Sequence, residues 1–113
     1  MGPIEISPSI ALKNYGVKIG DTIKITPKEN SLLTDNKITE LLLAWSNSLS
    51  ATQKAADASD LYLDNRYSNS SQTYQEAFND AMKIKDASFE IFQIVKKKHC
   101  SSMILVDLER QGY

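Results

Sequence analysis

His99 and Cys100 are the residues of this 113-residue chain best suited to metal or nucleophilic chemistry, and they are adjacent. A structural zinc site needs four ligands, usually in two spaced pairs, so one adjacent pair predicts no metal centre. A catalytic Cys–His pair requires contact between the two side chains, but neighbouring residues on a helix project about 100° apart. We therefore predict a helix-end histidine and a half-buried thiol without a catalytic role.

The acidic side chains of the middle and C-terminal regions are dispersed, which is typical of solvated helix surface. They include Asp57, Asp60, Asp64, Asp80, Asp86 and Glu90. The sequence has no glycine-rich phosphate loop, nucleophile elbow or His-Glu-x-x-His pair. Asn69-Ser-Ser71 matches a glycosylation sequon, a triplet that is common by chance. The chain is therefore predicted to be a non-enzyme with no catalytic, metal-binding or cofactor-binding residue and no small-molecule substrate.

Charge and hydropathy narrow the class of partner. Thirteen Lys and Arg residues oppose fourteen Asp and Glu residues, and this near-neutrality argues against nucleic acid as an obligate partner. The longest apolar runs, Leu41–Trp45 and Met103–Val106, are far shorter than the ~20 residues of a membrane span. The N-terminus has no basic start followed by an apolar core, so we expect no cleaved secretory signal. The partners predicted here are other proteins or copies of this chain.

Residues 1–36 differ in composition from the remainder. They contain all three prolines and three of the four glycines. Within them, Val17–Ile25 alternates apolar and polar residues around Gly20-Asp21, which indicates a short strand or hairpin. We predict two segments: an N-terminal extended or hairpin segment over 1–36 and a helical hairpin over 37–113.

The helical region reads as two helices separated by a polar break. Asp35 or Asn36 offers an N-cap, and neither proline nor glycine occurs from there to Arg66. The break is 67–72, after which Thr73-Tyr-Gln-Glu76 has the pattern of a capping box. The second helix is predicted to reach at least Lys98, with basic residues that suit the negative end of the helix dipole.

The tail over 101–110 is compatible with continued helix or with a buried strand that pairs with the N-terminal segment. Continued helix is favoured, because no glycine or proline occurs there before Gly112. The predicted fold class is therefore mainly α: a long antiparallel helical hairpin with a short N-terminal β-hairpin-like or irregular segment.

Both helices carry a stripe whose members are spaced alternately by three and four residues, as a helix-packing face requires. The first stripe is Ile38, Leu42, Trp45, Leu49, Thr52, Ala56, Ser59 and Leu63, and the second is Ala77, Ala81, Ile84, Ser88, Ile91 and Val95. Small side chains in the second stripe allow close approach of a facing helix. The predicted packing or partner interface is Ile38, Leu42, Trp45, Leu49, Leu63, Ala77, Ala81, Ile84, Ser88, Ile91 and Val95.

Several large apolar residues fall outside these stripes, so their side chains must be buried by the N-terminal segment, the tail or another subunit. They are Leu41, Leu43, Tyr62, Met82 and Phe89. This excess of apolar helix surface predicts self-association or partner binding.

The segment from Leu41 to Gln111 resembles the flagellar hook–basal-body rod adapter family, whose inner-rod relatives occur in type III secretion. The resemblance is carried by Gln53-Lys-Ala-Ala-Asp57 in the first helix and by Ala81-Met82, Ser88-Phe89 and Val95-Lys-Lys-Lys98 in the second. It implies a protein that joins the membrane ring to the proximal rod of a bacterial export machine by inserting its helices among neighbouring copies. It also implies a bacterial location, either cytoplasmic or in a basal-body-like assembly reached without a cleaved signal.

A second resemblance is local. Pro8, Tyr15-Gly-Val17, Gly20-Asp21, Ile23 and Ile25 resemble the helix-turn-strand of swapped-hairpin transcription factors and antitoxins. It implies the alternative function of a dimeric DNA-binding or antitoxin-type protein with a helical partner-binding tail. A helical-hairpin secreted or immunity-type protein is a third possibility.

Overall fold

The computed structural model describes residues 2–6, 22–29 and 31–105 of the chain. Five elements follow one another in this part: β1 (Ile4–Ile6), β2 (Ile23–Pro27), α1 (Asp35–Asp64), α2 (Ser71–His99) and β3 (Cys100–Leu105). The two helices pack against each other as an antiparallel pair, and the strands form an antiparallel sheet in the order β1-β2-β3. The prediction of a mainly α protein built on a long helical hairpin is confirmed.

The helix starts differ slightly from the predicted ones. Thr34 caps α1, because its Oγ1 accepts a hydrogen bond of 3.3 Å from the backbone N–H of Lys37. The helix α2 begins at Ser71 without a side-chain cap, so the predicted capping box at Thr73 is wrong. Between the helices, a turn at 65–70 is held by local bonds, including the Ser68 hydroxyl donating to the Asn65 carbonyl at 2.8 Å. The polar break was therefore placed correctly to within about two residues.

β3 corrects the prediction of continued helix over 101–110, since the chain turns into a strand at Cys100. This strand pairs with β2 in a register that sets Met103 opposite Ile25, with an irregularity near Pro27. The backbone groups of β2 give residues 100–105 hydrogen-bond partners that no local sequence pattern reveals. Residues 106–110 lie outside the described part, as does most of the predicted hairpin over Val17–Ile25.

The main core lies where the sheet meets the helices. Alternation along β2 turns Ile23 and Ile25 inward, and both side chains are fully buried. They belong to one cluster with residues from both helices and β3: Leu41, Ala44, Phe92, Val95 and Cys100. Leu41 was expected outside the packing stripe but is fully buried here. The predicted boundary at residue 36 stays a prediction, although β2 supplies two of the largest buried side chains.

Candidate interaction surfaces

The contact between the helices is built from small side chains on α1. Ala44, Ser48, Ala51 and Ala55 are all buried, and they recur at spacings of four, three and four residues. Such residues allow two helices to approach closely. This buried stripe is displaced by about one residue, or about 100° around the helix, from the stripe predicted on α1.

Two aromatic stacks link the helices at separate levels. The rings of Trp45 and Phe92 have centroids 6.2 Å apart and are nearly parallel, at the sheet end of the hairpin. The rings of Tyr62 and Phe78 have centroids 6.4 Å apart, near the turn. Offset aromatic pairs at such distances contribute about 0.5–1.5 kcal/mol beyond their buried area. The stacks therefore fix the relative position of the helices at both ends.

A polar link joins the end of α2 to the first turns of α1. The imidazole of the buried His99 donates from Nε2 to a carboxylate oxygen of Glu40 at 2.8 Å. This hydrogen bond holds the pKa of the Glu40 carboxyl below its ordinary value, with further help from the charge of Lys98, while burial opposes the shift. The pair anchors the helix end from which β3 departs.

Cys100 lies beside this link but presents no reactive group. Its side chain is buried, and its thiol donates to the Lys96 carbonyl at 3.2 Å. Burial raises the pKa of the thiol, and the charges of Lys96 and Lys28 oppose that rise. A thiol that stays protonated is a poor nucleophile. Within the described ranges, no three His, Cys, Asp or Glu side chains are grouped so that they could hold a metal ion.

The residues of the predicted interface fall into two groups. Those that pack within the protein are at least half-buried: Ile38, Leu42, Trp45, Leu49, Ala81, Ser88 and Val95. Those that lie exposed on the surface are Leu63, Ala77, Ile84 and Ile91. Their role in binding a partner stays a prediction.

Comparison of the chain with protein-family models, curated proteins and solved structures found no match. Functional inference therefore depends on the surfaces of the hairpin. Neither of the two described helices is long and apolar enough to cross a membrane.

The first such surface is an isoleucine ridge on α2, formed by Ile84, Ile91 and Ile94 with Ala87 between them. The three isoleucines are 60%, 57% and 59% exposed. Their spacing of seven and three residues places them on one side of the helix over about 15 Å. Ile84 and Ile91 belong to the stripe predicted from this spacing, whereas Ile94 continues the same pattern but is absent from the predicted stripe.

The second surface is the α1–α2 groove, an open depression of about 290 Å³. Short side chains of α1 face longer ones of α2 there, and the lining residues are Thr52, Ala55, Ala56, Ser59, Phe78, Met82 and Lys85. Thr52, Ala56 and Ser59 belong to the predicted α1 stripe, and these three members line the groove rather than the centre of the helix contact. Met82 and Ile91 are nine residues apart and project about 180° from each other, so groove and ridge lie on different sides of α2.

Proposed function

We propose that this chain is a non-enzymatic structural assembly protein that binds other protein subunits through the isoleucine ridge. The observation that carries the proposal is the exposure of three isoleucines along one side of a single helix. Burying the remaining surface of each against a partner contributes about 1–2 kcal/mol. A contiguous apolar patch of this kind is typical of a protein-binding surface.

The resemblance to the rod adapter family gives the proposal its finer form. In that form, the chain joins the membrane ring to the proximal rod of a bacterial flagellar or type III export apparatus. A helical hairpin with an apolar ridge on its outer side supports this role, because such a ridge can pack among the helices of neighbouring subunits. The ridge is already exposed in the folded hairpin, so a partner can bind it without rearrangement of the core.

The experiment is site-specific photo-crosslinking from position 91 in cells of the source organism, with a crosslinking residue at Gln75 as the matched control. Gln75 is exposed on the same helix but lies away from the ridge. We expect crosslinks from position 91 to a copy of this chain or to a ring or rod subunit, and we expect Ile84→Asp to abolish them. The substitution Gln75→Asp should leave them intact.

The outcomes separate the coarse proposal from the finer one. Equal crosslinking from positions 75 and 91, or crosslinks insensitive to Ile84→Asp, would contradict an assembly role for the ridge. Specific crosslinks to proteins outside any ring, rod or export apparatus would overturn the adapter role and leave the assembly role standing.

A further inference from the structure

We propose that the α1–α2 groove is a self-association site, and that its occupant is the acidic end of α1, Asp57–Asp64, from a second copy of this chain. This inference rests on the proposed function only in treating the chain as an assembly protein. It concerns a different surface from the isoleucine ridge.

The groove combines apolar walls with one cation. Phe78 and Met82 supply the apolar walls, and short side chains of α1 leave the space between them open. Lys85 lines the same groove and is half-buried, and its ammonium has no ion-pair or hydrogen-bond partner among the described residues. An ammonium beside an apolar groove is stabilised by a carboxylate within a few ångströms. The groove therefore favours an apolar helix segment that carries acidic side chains.

The end of α1 has this chemistry. Leu63 is 50% exposed there, and the carboxylates of Asp60 and Asp64 lie within about 100° of it around the helix, whereas Leu61, 51% exposed, projects from the opposite side. Asp57 adds a third carboxylate, which accepts a hydrogen bond of 2.9 Å from the side-chain amide of Gln53. Asp60 and Asp64 are four residues apart, so their like charges repel each other on one side of the helix. They also lie near the negative end of the helix dipole, and the last turn contains no basic residue. A lysine from another molecule would relieve both repulsions.

The available area sets the expected strength. The stretch from Thr52 to Leu63 is about 17 Å long, and two helices side by side are about 20 Å wide, so each copy contributes roughly 350 Å² of face. A stable dimer of standard size buries about 800 Å² on each partner. We therefore expect self-association weaker than that of a standard-size dimer, and we expect added salt to weaken it further.

A charge exchange tests the pairing in the full chain. Sedimentation equilibrium from micromolar to millimolar protein would compare the wild type with Lys85→Glu, Asp60→Lys and the double variant. Each single reversal is expected to weaken self-association about tenfold, and the double variant should recover to within about threefold of the wild type. Lys83→Glu is the matched control for charge, because Lys83 is exposed on the same helix and outside the groove.

Two further variants keep the test decisive. Lys85→Gln removes the charge without reversing it, and Ala56→Trp fills the groove, with Asn47→Trp as a control for an added exposed ring. The inference is overturned by a wild type that stays monomeric at millimolar concentration, by equal effects of Lys83→Glu and Lys85→Glu, or by a double variant that does not recover. Loss of the dimer in Ile91→Asp but not in Lys85→Glu would assign self-association to the ridge. That result would overturn the inference and leave the proposed function intact.

Discussion

Replacing Ala51 with leucine tests the close contact between the helices. Ala51 is 6% exposed and lies midway along the buried stripe of small residues on α1. Leucine adds three carbon atoms where α2 leaves little space, and overpacking of this kind typically lowers the free energy of unfolding by about 1–3 kcal/mol. For a domain of this size, 1 kcal/mol corresponds to roughly 4 °C in Tm. We therefore expect Tm to fall by about 4–12 °C.

Thermal unfolding followed by far-UV circular dichroism would measure this change, at protein concentrations low enough to keep the chain monomeric. Ala77→Leu is the matched control, because it makes the same chemical change at an exposed position of α2. The control should alter the free energy of unfolding by no more than about 0.5 kcal/mol. Equal stability of the two variants would refute the inference that small residues set the distance between the helices.

Three further predictions concern the sheet end of the hairpin. Ile25→Ala should lower the free energy of unfolding by about 2–5 kcal/mol, whereas Ile104→Ala, at a 39% exposed position, should lower it much less. Calorimetry in which the N-terminal segment and the helices melt separately would instead favour a boundary at residue 36. Because the folded-state pKa of Glu40 is lowered, its contribution to stability is present above the ordinary glutamate pKa and is lost as pH falls through the folded value. Urea unfolding at a series of acidic pH values should therefore show that the free energy of unfolding declines less for Glu40→Gln than for the wild type as the pH falls. Because Cys100 is buried, it should react with a maleimide far more slowly than an exposed cysteine introduced by Ser101→Cys in a Cys100→Ala background. Equal reaction rates would show that the native thiol is accessible.

The helices could be predicted from the sequence because their signals are local. Two long segments free of glycine and proline and a polar break near residues 67–72 fix the hairpin with little help from tertiary contacts. The face of α1 that packs was harder to predict. The prediction favoured large apolar side chains such as Leu42 and Leu49. The structure buries Ala44, Ser48 and Ala51 more deeply, because small residues permit closer helix packing.

The strand at Cys100–Leu105 could not be derived from local pattern alone. Its residues are compatible with a helix, and what selects the strand is pairing with β2, about 75 positions earlier in the chain. The ridge was partly predictable, since Ile84 and Ile91 follow helical spacing. The groove required the structure, because its shape depends on Phe78 and Met82 lying opposite short residues of the other helix.

The position of the core at one end of the hairpin makes the stability of the molecule uneven along its length. Near the sheet, fully buried isoleucines, the Trp45–Phe92 stack and the His99–Glu40 link hold the helices together. Toward the turn, the helices meet through small side chains and the Tyr62–Phe78 stack. Local opening therefore costs less free energy at the turn than at the sheet, and amide hydrogen exchange should quicken in that direction.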